Sequence, residues 1–194
     1  MQLVIQTPYL KALQLFAGKK DLRFYLNGVC FQVEKGRAFA LATDGHRLAA
    51  HLLTEGLKPE LRLSVVVPND IIDAALKIAG KTKQITLEVD ETGQSRALNL
   101  AGVGGLALDG NFPDWRRVFN SNDGQPEAIS YFNPDYLRDV FKAAKLIGSK
   151  FGHMKQSGDS AGRATLAHDF DCLVMPFRLA KVEHLPACSW VVAA

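Results

Sequence analysis

Arg62-Leu-Ser-Val-Val-Val67, Pro68-Asn69-Asp70, Ile71-Ile-Asp-Ala-Ala-Leu-Lys-Ile-Ala79 and Gly80 together decide the fold. They read in turn as an apolar strand, a polar start with proline, an amphipathic helix and a glycine stop. The same order occurs earlier, as strand Met1 to Gln6, Thr7-Pro8, helix Tyr9 to Ala17 and Gly18. It occurs again as strand Glu127 to Phe132, Asn133-Pro134-Asp135, helix Tyr136 to Ile147 and Gly148. Pro8, Pro68 and Pro134 stand 60 and 66 residues apart, a spacing that reads as an internal repeat.

The stretch after each helix is rich in strands. Arg23 to Cys30, Phe31 to Val33, Arg37 to Thr43 and Arg47 to Leu53 come after the first. Gln84 to Val89, Arg96 to Leu100 and Gly105 to Leu108 come after the second. Phe151 to Lys155, Ala164 to Ala167 and Asp171 to Leu179 come after the third. The breaks carry Gly, Asn and Asp, as hairpin connections do. The fold class is therefore α+β, about three copies of a strand–helix–multistrand unit. Units at 1–56 and 62–110 make a domain over 1–119, and 127–179 holds the third unit. Asn120 to Pro126 is the linker, and 180–194 is a C-terminal extension.

Composition sets outer limits. The chain has 194 residues, 47% of them hydrophobic, and a formal net charge of +3, which permits nucleic acid without arguing for it. No apolar run approaches the roughly 20 residues of a membrane span, and no secretory leader is read at the start. Cys30, Cys172 and Cys188 form no close pair and the five histidines are scattered, so no metal or cofactor is expected, and the setting is read as cytoplasmic. Arg138, Lys142 and Lys145 form a basic stripe on the third helix, beside an apolar face of Leu137, Val140, Phe141 and Ala144. Lys77 and Lys81 repeat the spacing on the second, with Lys83 beyond; Lys11, Lys19 and Lys20 attend the first. A solvated face is the ordinary reading of one such stripe. Three equivalent basic helices point instead to a shared surface that meets phosphates without reading sequence.

Four further stretches carry a resemblance. Asp21-Leu-Arg-Phe-Tyr-Leu-Asn-Gly28 leads to Ala42-Thr-Asp-Gly-His-Arg-Leu-Ala49; Phe112-Pro-Asp-Trp-Arg-Arg-Val118 and Val174-Met-Pro-Phe-Arg-Leu179 come later. In this order they closely resemble the bacterial sliding clamp, the beta subunit of DNA polymerase III. The resemblance places residues 1–119 on that clamp's middle domain and 127–179 on the second half of its third, with no counterpart for the rest. It implies a non-catalytic processivity factor whose helices line a ring around duplex DNA and whose sheets form the wall. Twelve units close such a ring, so three per chain imply a homotetramer.

The resemblance also implies a cleft that takes the short clamp-binding peptides of DNA polymerase and clamp loader. Its matching residues are Leu26, Thr43, Gly45, His46, Arg47, Leu48, Pro113, Arg117, Val118, Val174, Met175, Pro176, Phe177, Arg178 and Leu179. Leu, Val, Met and Phe suit an apolar slot, and Met repacks around varied partners. Residues Lys20, Arg23, Phe24 and Tyr25 match a loop that touches DNA leaving the ring, and Lys77, Lys81, Arg138, Lys142 and Lys145 join them as expected DNA contacts. The chain departs from the family in Phe177, commonly Met there, in Asn69-Asp70, where a basic residue is frequent, and in continuing from Ala180 to Ala194. Two other readings compete. Asp44 and His46 form the one pair a hydrolase would use, though Thr-Asp-Gly-His reads first as a hairpin turn. A clamp-derived module that binds such peptides without encircling DNA, as decoy or regulator, is the stronger rival.

Overall fold

The computed structural model describes residues 1–90, 96–120, 130–150, 154–157 and 159–177. The first unit contains β1 (Gln2–Gln6), α1 (Thr7–Gln14), β2 (Gly28–Glu34), β3 (Arg37–Thr43) and β4 (Arg47–Glu55). The second contains β5 (Leu63–Pro68), α2 (Asn69–Ala79), β6 (Gln84–Val89), β7 (Ala97–Leu100) and β8 (Val103–Leu106). After α3 (Trp115–Asn120) come α4 (Pro134–Leu146), β9 (Lys155–Ser157), β10 (Ser160–Ala167) and β11 (Phe170–Val174). Fold class and repeat order follow the sequence. Of the expected third-unit first strand, only residues 130–132 are described, and Tyr131 bridges antiparallel to Phe177.

The first two units exchange their opening strands. β1 pairs with β6, giving the four-stranded order β1-β6-β7-β8, while β5 pairs with β2. A seven-stranded sheet, β5-β2-β3-β4-β11-β10-β9, then carries the third unit on the far edge of the first. β4 and β11 join antiparallel, from Arg47 opposite Val174 to His51 opposite Phe170. Alternation along these strands sends Phe31, Ala40, Ala49 and Cys172 to one face, where α1, α2 and α4 bury Leu10, Leu13, Ile72 and Val140 against them. The opposite face carries Cys30, Leu41, Leu48 and Leu173 and is covered by Trp115, Val118 and Phe119 of α3. Basic helices and α3 thus lie on opposite sides of one sheet.

The first helix ends at Gln14, short of Ala17, β8 lies two residues before the expected Gly105 to Leu108, and β11 stops at Val174; two further differences bear on the site. The strand expected from Arg23 begins only at Gly28, because Phe24–Leu26 form a 3-10 turn. Asn27 fixes that turn, its side chain accepting from the Asp21 N–H and donating to the Asp21 carbonyl. Gly28 then passes so close to β5 that a Cβ would lie 2.2 Å from the Val67 carbonyl oxygen. The second is α3, whose apolar Trp115, Val118 and Phe119 follow the i, i+3, i+4 pattern of one helical turn. Side-chain capping is confined, among the three repeat helices, to α4, where the Asn133 side chain accepts from the Asp135 N–H. Asn69 instead donates to the Gly18 carbonyl, tying the second helix start to the first helix end.

His51 lies at the β4–β11 joint, 5% exposed, stacked on Tyr9 at 4.3 Å, with Nδ1 3.0 Å from the Asp169 carbonyl oxygen. Burial holds its imidazole below the ordinary 6.5, outweighing the pull of Asp169. A depressed folded value means that the unfolded chain binds the proton better. His51 therefore contributes its stability above about pH 6.5 and loses it as pH falls below. The melting temperature is expected to drop between pH 7 and pH 5, and less steeply in His51→Gln; equal slopes would assign the drop elsewhere.

Candidate functional site

A cleft of about 490 Å³ opens where the first unit, the segment before α3 and the third unit meet. Its floor is Leu48 and Leu173, 5% and 1% exposed, and Met175 forms a wall that is 40% exposed. Leu26 and Tyr25 come from the 3-10 turn, and Trp115, Arg117 and Val118 from α3. The Met175 N–H donates to the His46 carbonyl at 2.8 Å, so β11 runs on past its last ladder pair to reach the cleft. This mouth is mostly apolar, with charged groups at the rim.

The hairpin turn at the rim is held by its own side chains. Thr43 Oγ1 donates to the Arg47 carbonyl and accepts from the Gly45 N–H, while Asp44 Oδ1 accepts from the N–H groups of His46 and Arg47. Gly45 has φ +89°, and a Cβ there would lie 2.8 Å from an Arg23 nitrogen. Arg23 crosses from the 3-10 turn to donate to the Asp44 carbonyl at 3.0 Å and to Asp21 at 2.7 Å. The Arg23 guanidinium and the Arg23 backbone N–H, both donating to Asp21, hold its carboxyl down at about 2.

Arg47 has its guanidinium turned out of the cleft. Nε donates to Asp44 at 2.9 Å and an Nη atom donates to Asp139 of α4 at 2.6 Å, with the Arg47 side chain 10% exposed. Its carbon sits 4.7 Å from the Tyr136 ring centre and 5.6 Å from that of Phe16. Burial pulls against its charge, but Asp139 and Asp44 outweigh that and raise its pKa. This residue clamps the third unit onto the first. Asp44, engaged by two backbone N–H groups and Arg47, serves as the turn's scaffold.

Of the fifteen residues expected at a peptide cleft, Leu26, Thr43, Gly45, His46, Arg47, Leu48, Pro113, Arg117, Val118 and Met175 meet here. Val174 lies in the core on the helix side, Pro176 and Phe177 are off the lining, and Phe177 pairs with Tyr131. Arg178 and Leu179 lie outside the described residues, as do most of the linker and the extension. Phe112, Asp114, Trp115 and Leu173 line the cleft unanticipated. Strand alternation carries the signal for Leu173, two residues before Met175 on the same face.

Arg23 and Tyr25, expected at DNA, line the cleft, whereas Lys20 and Phe24 are exposed beside it. Lys77, Lys81, Arg138, Lys142 and Lys145 are all exposed on or just beyond the helices. Arg138 donates to Asp135 at 2.7 Å, so Lys142 and Lys145 carry the stripe's uncompensated charge more plainly.

The model for the DNA polymerase III beta subunit, central domain, matches residues 7–114. The chain belongs to the DNA polymerase III beta-subunit family. It is 28% identical over 143 residues to the beta sliding clamp of Escherichia coli K12, covering 73% of this chain and 38% of that protein. It is 30% identical over 145 residues to the beta sliding clamp of Salmonella typhimurium LT2, with the same coverage. The match thus spans 38% of the length of these curated relatives. The DNA polymerase sliding clamp of Pseudomonas aeruginosa superposes with a TM-score of 0.69 at 21% identity, over 92% of this chain and 67% of that one. The Thermotoga maritima DNA polymerase III beta subunit gives 0.68 at 18% identity, over 93% and 66%. These likenesses carry the fold, and the chain has the sliding-clamp fold.

Proposed function

We propose that the chain is a non-catalytic sliding clamp that encircles duplex DNA as a homotetrameric ring and tethers a DNA polymerase and clamp loader by their clamp-binding peptides. The cleft supports this reading, since residues of the first unit, the α3 segment and the third unit line it within one chain, across the β4–β11 pairing. Family membership over residues 7–114 supports it, and the reading takes 1–119 as a domain, 120–126 as a linker and 127–179 as a half domain. The free, buried thiols of Cys30 and Cys172 suit a reducing cytoplasm. Among the described residues no helix is long and apolar enough to cross a membrane.

The DNA-facing part rests on the basic helices lying together on one face of the sheet. Charge reversal at Lys142 and Lys145 is expected to shorten retention on closed circular DNA and to reduce its salt dependence, because each phosphate contact adds to the salt slope. Including Arg138 is expected to add less, given its Asp135 partner. Retention indifferent to all three would remove α4 from the DNA surface. Light scattering reporting four copies supports the ring.

The second reading is a peptide-binding module that never encircles DNA and acts as decoy or regulator. The cleft serves it equally, since a slot lined within one chain can take a peptide with or without a ring. A monomer in solution that still binds the peptides selects this reading.

A further inference from the structure

Met175, which walls the cleft, stands two residues before Phe177, the last of the described residues, and the sequence continues over 178–194. Large apolar side chains are left open around this point. Met175 is 40% exposed and Phe177 54%, while Leu22 and Phe24, on either side of the cleft residue Arg23, are 98% and 51% exposed. Apolar surface gathered in this way around a groove marks a place that meets an apolar partner.

The chain beyond Phe177 holds a segment of matching character. Asn120 to Pro126, polar in all but Gly124 and Pro126, has the composition of a solvated connection. Leu185-Pro-Ala-Cys-Ser-Trp190-Val-Val192 has the opposite composition, with one of the chain's two tryptophans and no charged residue. Pro186 biases Leu185 toward an extended backbone, the form in which a peptide fills a groove. Phe177 to Leu185 spans roughly 25 Å when extended, and Met175 is already at the cleft, so the segment reaches it from its own chain. Glu183 brings an acidic group to a rim that carries Arg23, Arg47 and Arg117. The groove across α3, beside Phe39 and Phe119, suits the segment less, being smaller at about 320 Å³ and lined in part by Arg163, Asp169 and Asp171.

We propose that residues 185–192 occupy the cleft of their own chain, anchored by Leu185 and Trp190, and that an incoming clamp-binding peptide displaces them. The proposal rests on the reading of the cleft as a peptide site and adds its regulation. A tether this short gives a local concentration on the order of 1 mM, so a segment that binds at about 100 µM when free lowers the affinity of a competing peptide about tenfold. Leu48 and Leu173, the apolar floor, stay covered until a partner arrives. Weak peptides are thereby excluded, and only those that outcompete the tethered segment enter.

The test compares the full chain with a Leu185→Ser, Trp190→Ser variant, using two fluorescein-labelled probes: a clamp-binding peptide of a DNA polymerase and a synthetic peptide of residues 180–194. The variant is expected to bind the clamp-binding peptide about tenfold more tightly than wild type. It is also expected to bind the 180–194 peptide, and to lose it when Met175→Ala is added. Met175→Ala is read in this background for both probes, so that no tethered segment competes. Asp114→Cys at the rim is expected to join Cys188 of the same chain through a short bis-maleimide, since Cys30 and Cys172 are buried and out of reach. Equal clamp-peptide affinities, with no binding of the 180–194 peptide, overturn the proposal and leave the cleft as a peptide site. Binding of the 180–194 peptide alone supports the proposal and removes the clamp-peptide reading. A cross-link found only between two chains overturns it in favour of a second copy.

Discussion

Arg47→Ala is expected to lower the unfolding free energy by about 3–5 kcal/mol, the range for removing one partner of a buried charge pair. The Arg47 side chain is 10% exposed and those of Asp139 and Asp44 are 14% and 17%, so the change leaves Asp139, largely out of water, with only Arg138 at 3.7 Å, and leaves Asp44 with its two backbone N–H donors alone. It also removes the cation over Tyr136 and Phe16. Lysine is a poor substitute, since one ammonium does not reproduce the planar fork that reaches both carboxylates. Because Asp139 belongs to α4, the third unit is expected to loosen first, and hydrogen exchange of β11 should quicken before that of β2. Urea denaturation showing a loss below about 1 kcal/mol would mean that the pair contributes little to the joint.

Truncating the cleft is expected to act on binding. Met175→Ala is expected to weaken a fluorescein-labelled clamp-binding peptide by roughly 30-fold in anisotropy titrations. That corresponds to about 2 kcal/mol, typical of one well-buried apolar side chain. Met175 is 40% exposed without ligand, so its loss leaves the folded core nearly unchanged. Leu48→Ala alongside it is expected to abolish measurable binding, but Leu48 is 5% exposed and its removal also costs about 2–5 kcal/mol of stability. The single variant therefore isolates the cleft, and an unchanged affinity there would refute the peptide assignment.

Much of the site was legible in the chain because two of its walls are contiguous motifs. Thr43-Asp44-Gly45-His46-Arg47 forms its own turn from hydrogen bonds reaching no more than four residues. Such a local device is written in sequence. Arg47 shows the limit, because its motif position says nothing about where a long side chain points. Asp139, 92 residues away, draws the guanidinium out of the cleft and into the joint. Arg23 likewise reads as a free cation until Asp21 and the Asp44 carbonyl claim it.

The repeat itself belonged to the sequence: proline starts, glycine stops and apolar periodicity require three strand–helix units through short-range sterics and hydrogen bonding. Which strand each unit would pair with did not. The exchange of β1 and β5 between units, and the seating of β11 on β4, depend on edges that become neighbours only after the helices bury one face of the sheet. Backbone ladders carry no residue-specific code, so packing of those faces selects the partners. Among the described residues the same physics leaves β8 at the end of its sheet with Leu106 and Ile78 exposed, a feature that only the tertiary structure shows.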